Sequence, residues 1–346
     1  MGNLEIEKFN NEIDKEIKEL EIEANNGLDP TLVQQRINGI IEKYWDSYDP
    51  SDELDKYHKE MDESFYVKHE LRWGKSINLL EILRLQSIKF GQNLIEEYNQ
   101  TALDNDDKVF LTLKELHGRA CLVTAEIIVL LRNGFPDGAM ARWRTLYEIL
   151  IISDFIKTHG KETAQRYLDF EQIDEYLSLN LYQKNAEKLN KKPLTVEEVA
   201  NIEKNIQPLS EKYGNLIHNS YGWAAHDLNL SNKKRVNFRA IAEKSDYSHY
   251  LPYYSWASYP IHPSSRSLKL VLGQPQYQKR VILVGPSDAA GMAEPGMWTG
   301  ITLQQINTNL LSIHTTHSRL IQIEMLHFLQ EKAKKEFYAA SLTPVP

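Results

Sequence analysis

Sulfur chemistry is scarce in this 346-residue sequence, which holds a single cysteine, Cys121. No disulfide can form within such a chain and no cysteine-based zinc site can be built, which fits a reducing compartment. Long apolar runs are also missing: no stretch of about eighteen apolar residues occurs, and Met1 to Lys15 is dense in Glu, Asp and Lys. A spanning helix and a signal peptide are therefore not expected, and a cytoplasmic protein without a membrane partner is. Two familiar loops are absent as well. Gly285-Pro-Ser-Asp-Ala-Ala-Gly291 lacks both the Gly-Lys-Ser/Thr of a phosphate loop and the Gly-x-Gly of a dinucleotide fold, so no cofactor is expected. No Gly-x-Ser-x-Gly elbow occurs, which weakens a Ser-His hydrolase reading. Positive charge is in deficit, with 40 Lys and Arg against 48 Asp and Glu. That balance argues against non-specific capture by nucleic acid or anionic membrane, and Lys233-Lys-Arg235 is too short to reverse it.

What is present is the composition of a folded chain, 42% hydrophobic and 25% charged. The length suits an N-terminal helical arm over residues 1–66 and a core domain over 67–346. In the arm, Ile6, Phe9, Ile13, Ile17 and Leu20 recur at spacings of three and four, which predicts an amphipathic helix. That helix could lie on the body of the protein or pair two copies as a homodimer. Asp29-Pro30 starts a second helix.

Helical patterning continues from about Lys75, and its most informative part is Lys108 to Lys157. Ala120 to Leu131 and Ile149 to Ile152 are apolar around most of the helix, which predicts coverage by protein on both sides. Asn133-Gly134 should stop the first helix and Pro136-Asp137 restart the chain, forming an αα-hairpin. Short β-like runs at Leu268 to Leu272 and Arg280 to Val284 suggest a small β-hairpin, and Ile301 to about Ala339 reads as one closing helix. The expected fold is thus an all-α bundle around a buried αα-hairpin, with a β-hairpin inserted near 268–284.

Charges interrupt that apolar hairpin. A turn centred on Asn133 to Phe135 places Glu126 level with Trp143 and Arg144, and Glu148 level with Cys121 near Arg119. Two cross-helix ion pairs follow, Glu126 with Arg144 and Arg119 with Glu148, while Arg144 and Glu148 are also one turn apart. Buried ions cost several kcal/mol each unless paired, and apolar replacements are often as stable. The four charges therefore read either as a network fixing helix register or as the polar floor of a ligand pocket.

Tyr254, Ser258 and His262 are spaced by four in a segment rich in Tyr, Ser and Pro. Pro260 should kink or end the helix there, leaving His262 at a helix end. Histidine at such a place can serve as general acid or base, Ser258 as nucleophile or hydroxyl donor, and Tyr254 can orient a ligand. His314 and His317 could seed a metal site only with a carboxylate from elsewhere, so no metal is expected. Tyr221, Trp223, His226 and Trp256 offer stacking faces for a base but read first as core aromatics.

Several ordered blocks carry a resemblance. Glu126-Ile-Ile-Val-Leu-Leu-Arg-Asn-Gly-Phe-Pro-Asp-Gly-Ala-Met-Ala-Arg-Trp-Arg-Thr-Leu-Tyr-Glu148, then Tyr221-Gly-Trp-Ala224, Phe238-Arg-Ala-Ile-Ala-Glu243 and Tyr254 to Pro263 resemble the bacterial domain-of-unknown-function family 5677 over roughly Lys108 to Leu270. The resemblance implies that Arg144, Glu148, Ser258 and His262 are pattern positions and implies no activity. A looser similarity is to helical-bundle ribonucleases of the HEPN type, whose pocket takes an arginine and a histidine four to six residues later. None of the eleven histidines has an arginine at that spacing, Arg319 with His327 being the nearest miss.

The leading expectation is a cytosolic RNA-cleaving toxin or phage-defence effector, metal-independent, with RNA or a nucleotide as partner. Arg144 would hold phosphate, His262 would move a proton, and Ser258 and Glu148 would complete the catalytic set above the supporting Arg119, Glu126 and Tyr254. The alternatives are a non-catalytic ligand-binding or scaffold protein and a Ser-His hydrolase using Ser258.

Overall fold

The computed structural model describes residues 5–25, 27, 29–47, 65–229, 236–262, 265–266, 271–273, 285–287 and 290–343. The chain divides into two compact units, Met1–Lys68 and His69–Pro346. In the first, α1 (Glu5–Asn25) and α2 (Pro30–Ser47) pack as an antiparallel pair. Asp29 accepts from the Thr31 N–H at the start of α2, and ion pairs Glu23–Arg36 and Glu16–Lys43 lace the two helices. Such exposed pairs contribute little individually, and Leu20 of α1 is buried.

The second unit is built from α3 (Lys75–Asp104), α4 (Lys108–Arg132), α5 (Pro136–His159), α6 (Lys161–Asn185), α7 (Val196–Tyr213), α8 (Phe238–Ala242), α9 (Leu251–Trp256), α10 (Ala293–Leu311) and α11 (His317–Leu342). The αα-hairpin forms where its end signals lie. The Asp107 carboxylate caps α4 by accepting from the Phe110 N–H. At the other end Gly134 takes a positive φ of 74°, which costs glycine nothing, and the Phe135 N–H returns to the Leu130 carbonyl. Pro136 then opens α5, where its missing N–H is no loss.

At the centre lies α10, which packs on α3, α4, α5 and α11. Its buried polar side chains reach three neighbouring helices, α3, α4 and α5. Thr302 accepts from the Trp143 indole at 2.9 Å, Asn309 donates to Ser153 at 3.1 Å, and Asn307 contacts His117 and donates to Ser87, both at 2.8 Å. Each bond is satisfied only at one relative sliding of the helices, so together they fix register within an otherwise apolar core. Gly296 lets α11 approach closely, because a Cβ there would stand 2.3 Å from the Phe337 ring.

Three expectations change. No strand occurs among the described residues; the β-hairpin expected near 268–284 lies outside them except for 271–273, which form a turn. The closing helix is two helices, because the chain breaks at Ser312 to Thr316, where the Thr316 hydroxyl caps α11 by accepting from the Arg319 N–H. It also starts earlier than the expected Ile301, at Ala293. Finally, α4 is not covered all round: Leu122 and Val129 are 51% and 58% exposed, whereas no large hydrophobic residue of α5 is exposed. Among the described residues no helix is long and apolar enough to cross a membrane.

Candidate functional site

Two buried aromatics set the rotation of α5. Trp143 is bonded to Thr302 of α10, and Tyr147 stacks on it with centroids 5.6 Å apart while donating its hydroxyl to the Tyr247 carbonyl at 3.0 Å. With those side chains committed, Arg144 and Glu148 project toward α8 and α9. Phe238 of α8 packs 6.0 Å from Tyr147 and 4.8 Å from Tyr254 of α9, and so carries Tyr254 to the same face.

The three polar groups meet there. Tyr254 donates its hydroxyl to Glu148 Oε1 at 2.6 Å and accepts from Arg144 Nη2 at 2.8 Å. The guanidinium carbon lies 4.6 Å from the centre of the same ring, a cation–π contact, and Arg144 Nε stands 3.4 Å from Glu148 Oε1 without the alignment of a hydrogen bond. Burial and then the bond to Glu148 push the Tyr254 phenol well above its usual range, so it stays protonated and keeps donating. Neighbouring Tyr221 is pushed up to about 12, by burial first and by Glu148 second. Arg144 and Glu148 keep 26% and 28% of their side-chain surface exposed, so a ligand can reach the cluster.

The expected cross-helix pairs are corrected by this geometry. Glu126 pairs with Arg142, not Arg144, and Arg119 is exposed and makes no ion pair with Glu148. The level was within one residue, because Arg142 and Arg144 flank Trp143. What differs is side: burying Trp143 against α10 turns Arg142 toward α4 and Arg144 away from it. Of the four charges only Arg144 and Glu148 pair with each other, Glu126 pairs with Arg142 instead, and no single buried network forms.

Helix α9 ends at Trp256, ahead of Pro260, and residues 257–261 form turns. The Ser258 hydroxyl donates to the Tyr254 carbonyl at 3.0 Å, and Ser258's own carbonyl accepts from the His262 N–H at 3.1 Å. His262 is exposed, and its ring makes no bond to Arg144, Glu148 or Ser258. Trp223 is core, packed between Phe155 and Tyr167. Among the described residues no group of three His, Cys, Asp or Glu could hold a metal.

A second polar cluster escaped the sequence reading. Arg166 of α6, nearly buried, pairs with Asp227 and donates to the Trp223 carbonyl at 3.1 Å; Thr163 donates to Asp227 at 2.7 Å, and exposed His226 stands 3.2 Å from it. Burial raises the Asp227 carboxyl, but the bonds from Thr163, His226 and Arg166 outweigh it and hold the carboxyl below the usual range. These partners come from distant segments, and neither segment carries a periodic signal naming the other.

Fold and site together define a class: an all-helical domain built on an αα-hairpin whose outer face joins an arginine, a glutamate and a tyrosine. Residues 110–279 match the model of a family of unknown function, DUF5677. The matched segment contains Arg144, Glu148, Tyr254, Ser258 and His262 and leaves out α1, α2, α3, α10 and α11. No curated protein and no solved structure matches the chain.

Proposed function

We propose that the protein binds a nucleobase-bearing ligand, a nucleotide or an unpaired RNA base, at Arg144, Glu148 and Tyr254, as a binding module. The carrying observation is that Tyr254 saturates its own donor on Glu148 Oε1 and accepts from Arg144, leaving unused capacity side by side. Arginine has five donors, and among the described residues one hydrogen bond uses Nη2 while Glu148 Oε2 has no hydrogen-bond partner. A planar edge presenting an acceptor beside a donor complements that pair. Guanine does so, with O6 toward the guanidinium and N1–H toward the carboxylate. The face of Arg144 away from Tyr254 offers a surface for stacking.

RNA cleavage by a toxin or defence effector is the second reading. It draws on the exposed His262, held just past the helix that carries Tyr254. It ranks lower because the imidazole makes no contact with Arg144 or Glu148. Hydrolysis through Ser258 ranks lower still, since that hydroxyl is bonded to a backbone carbonyl.

Titration calorimetry of the full chain with guanosine, adenosine and uridine monophosphates and with inorganic phosphate tests the proposal. Saturable binding that prefers guanosine monophosphate, and weakens roughly tenfold or more in Glu148→Gln, is expected. No heat with any nucleotide, or affinity unchanged in both Glu148→Gln and Arg144→Ala, would sink it. Incubating RNA with wild type and His262→Ala tests the second reading, which fails if neither shortens the RNA.

A further inference from the structure

The outer face of α11 is built against the usual pattern. Leu320, Ile321, Met325 and Phe328 are 50%, 62%, 48% and 59% exposed, while polar Arg319 and Gln330 of the same helix are buried toward α3 and α10. A surface helix whose only contacts were to its own domain would carry its apolar residues inward and its polar ones outward. Here the inward face is already filled by Leu326, Ala333 and Phe337, so the outer four are a second apolar face.

Spacing and charge order indicate what covers it. Ile321, Met325, Phe328, Lys332 and Lys335 recur about every 3.5 residues, the repeat of a helix seam that pairs with another helix. Along that seam, among the described residues, Glu324 is an acid with no ion pair toward the N-terminal end and Lys332 and Lys335 are bases with none toward the C-terminal end, where Glu331 is taken up by Lys334 and Glu336 by Lys75. A helix with acid at one end and base at the other complements a reversed copy of itself. We propose that two copies of this chain associate through α11, antiparallel, about a two-fold axis at Phe328. Phe328 then meets its own counterpart, Glu324 faces the partner's Lys332 twice, and Ile321 lies against the aliphatic stem of the partner's Lys335. The Lys332 ammonium already sits 4.6 Å from the Phe328 ring, at the edge of the seam. The contact from Leu320 to Lys335 covers about 24 Å of helix. That is less than a standard interface, so the dimer is weak and reversible.

Sedimentation of the full chain over about 1 to 100 μM tests the pairing. Wild type should pass from monomer to dimer. Phe328→Asp should raise the dissociation constant roughly tenfold or more without lowering the thermal midpoint of the monomer, since the residue is exposed and outside the core. Glu324→Lys should weaken the dimer, and adding Lys332→Glu should restore it. The position of the axis is tested by disulfide trapping, which is clean here because native Cys121 is buried and its thiol is pushed up to about 12. Under oxidised glutathione Phe328→Cys should cross-link to itself, whereas Tyr338→Cys should not, its two copies lying about 30 Å apart. A wild type that stays monomeric throughout overturns the proposal. So does a dimer that Phe328→Asp leaves intact, which would place association on another surface such as the N-terminal helices.

Discussion

The hydroxyl of Tyr254 bridges Arg144 and Glu148, accepting from the first at 2.8 Å and donating to the second at 2.6 Å. Removing that oxygen in Tyr254→Phe leaves both charged groups in place without the link between them. Because each is about a quarter exposed, water takes over part of the lost bonding, and the loss of stability should be about 1 kcal/mol. Urea unfolding measures it. Ligand affinity should fall further than stability does, since no hydroxyl then holds the guanidinium and carboxylate in one orientation.

Arg142 and Arg144 are told apart by double-mutant cycles. Glu126 and Arg142 should show a coupling of about 0.2–1 kcal/mol, as befits a partly exposed pair, and Glu126 with Arg144 should show none. Coupling of the second pair in denaturant unfolding would contradict the side of α5 that each arginine occupies.

Arg166 is the costlier arginine to lose. Truncating it leaves the nearly buried Asp227 without its cation, and Arg166→Ala should destabilise the fold by about 3–5 kcal/mol. The same pair predicts a pH dependence. The folded carboxyl titrates below the unfolded one, so its contribution is present above the ordinary aspartate range and is lost as pH falls through the folded value. Acid unfolding followed by circular dichroism should be steeper in wild type than in Asp227→Asn.

His117 works with the opposite charge. Burial lowers its pKa, partly opposed by the bond to Asn307, so the folded state keeps the imidazole neutral where the unfolded chain would protonate it. Stability present above about pH 6.5 should therefore decline as pH drops below that value, and His117→Gln should flatten the decline. Asn307→Ala, which leaves His117 without its partner and removes one of the two bonds of the Ser87 hydroxyl, should cost about 1–3 kcal/mol at neutral pH.

Much of the backbone was legible because helix ends are local. The Asn133-Gly134 stop and the Pro136 restart each rest on residues within one turn of one another. The break before α11 was legible in principle through Thr316, but no Pro or Gly marks it and the apolar pattern runs across it. Reading α4 as covered on both sides failed for a different reason. Composition says that a helix is apolar all round, not how many neighbours are available to cover it, and Leu122 and Val129 are left in solvent.

The sequence by itself determined that the chain folds as helices, where the αα-hairpin turns, and that Arg144 and Glu148 stand one turn apart. Propensity, caps and spacing act over a few residues and need no partner. Only the tertiary structure decided which way each charge points, because the rotation of α5 is set by Trp143 and Tyr147 burying themselves against α10, a helix more than a hundred residues away in sequence. The same holds for Tyr254. Its approach to Glu148 depends on Phe238 filling the space beside Tyr147, a packing relation that no spacing along the chain encodes.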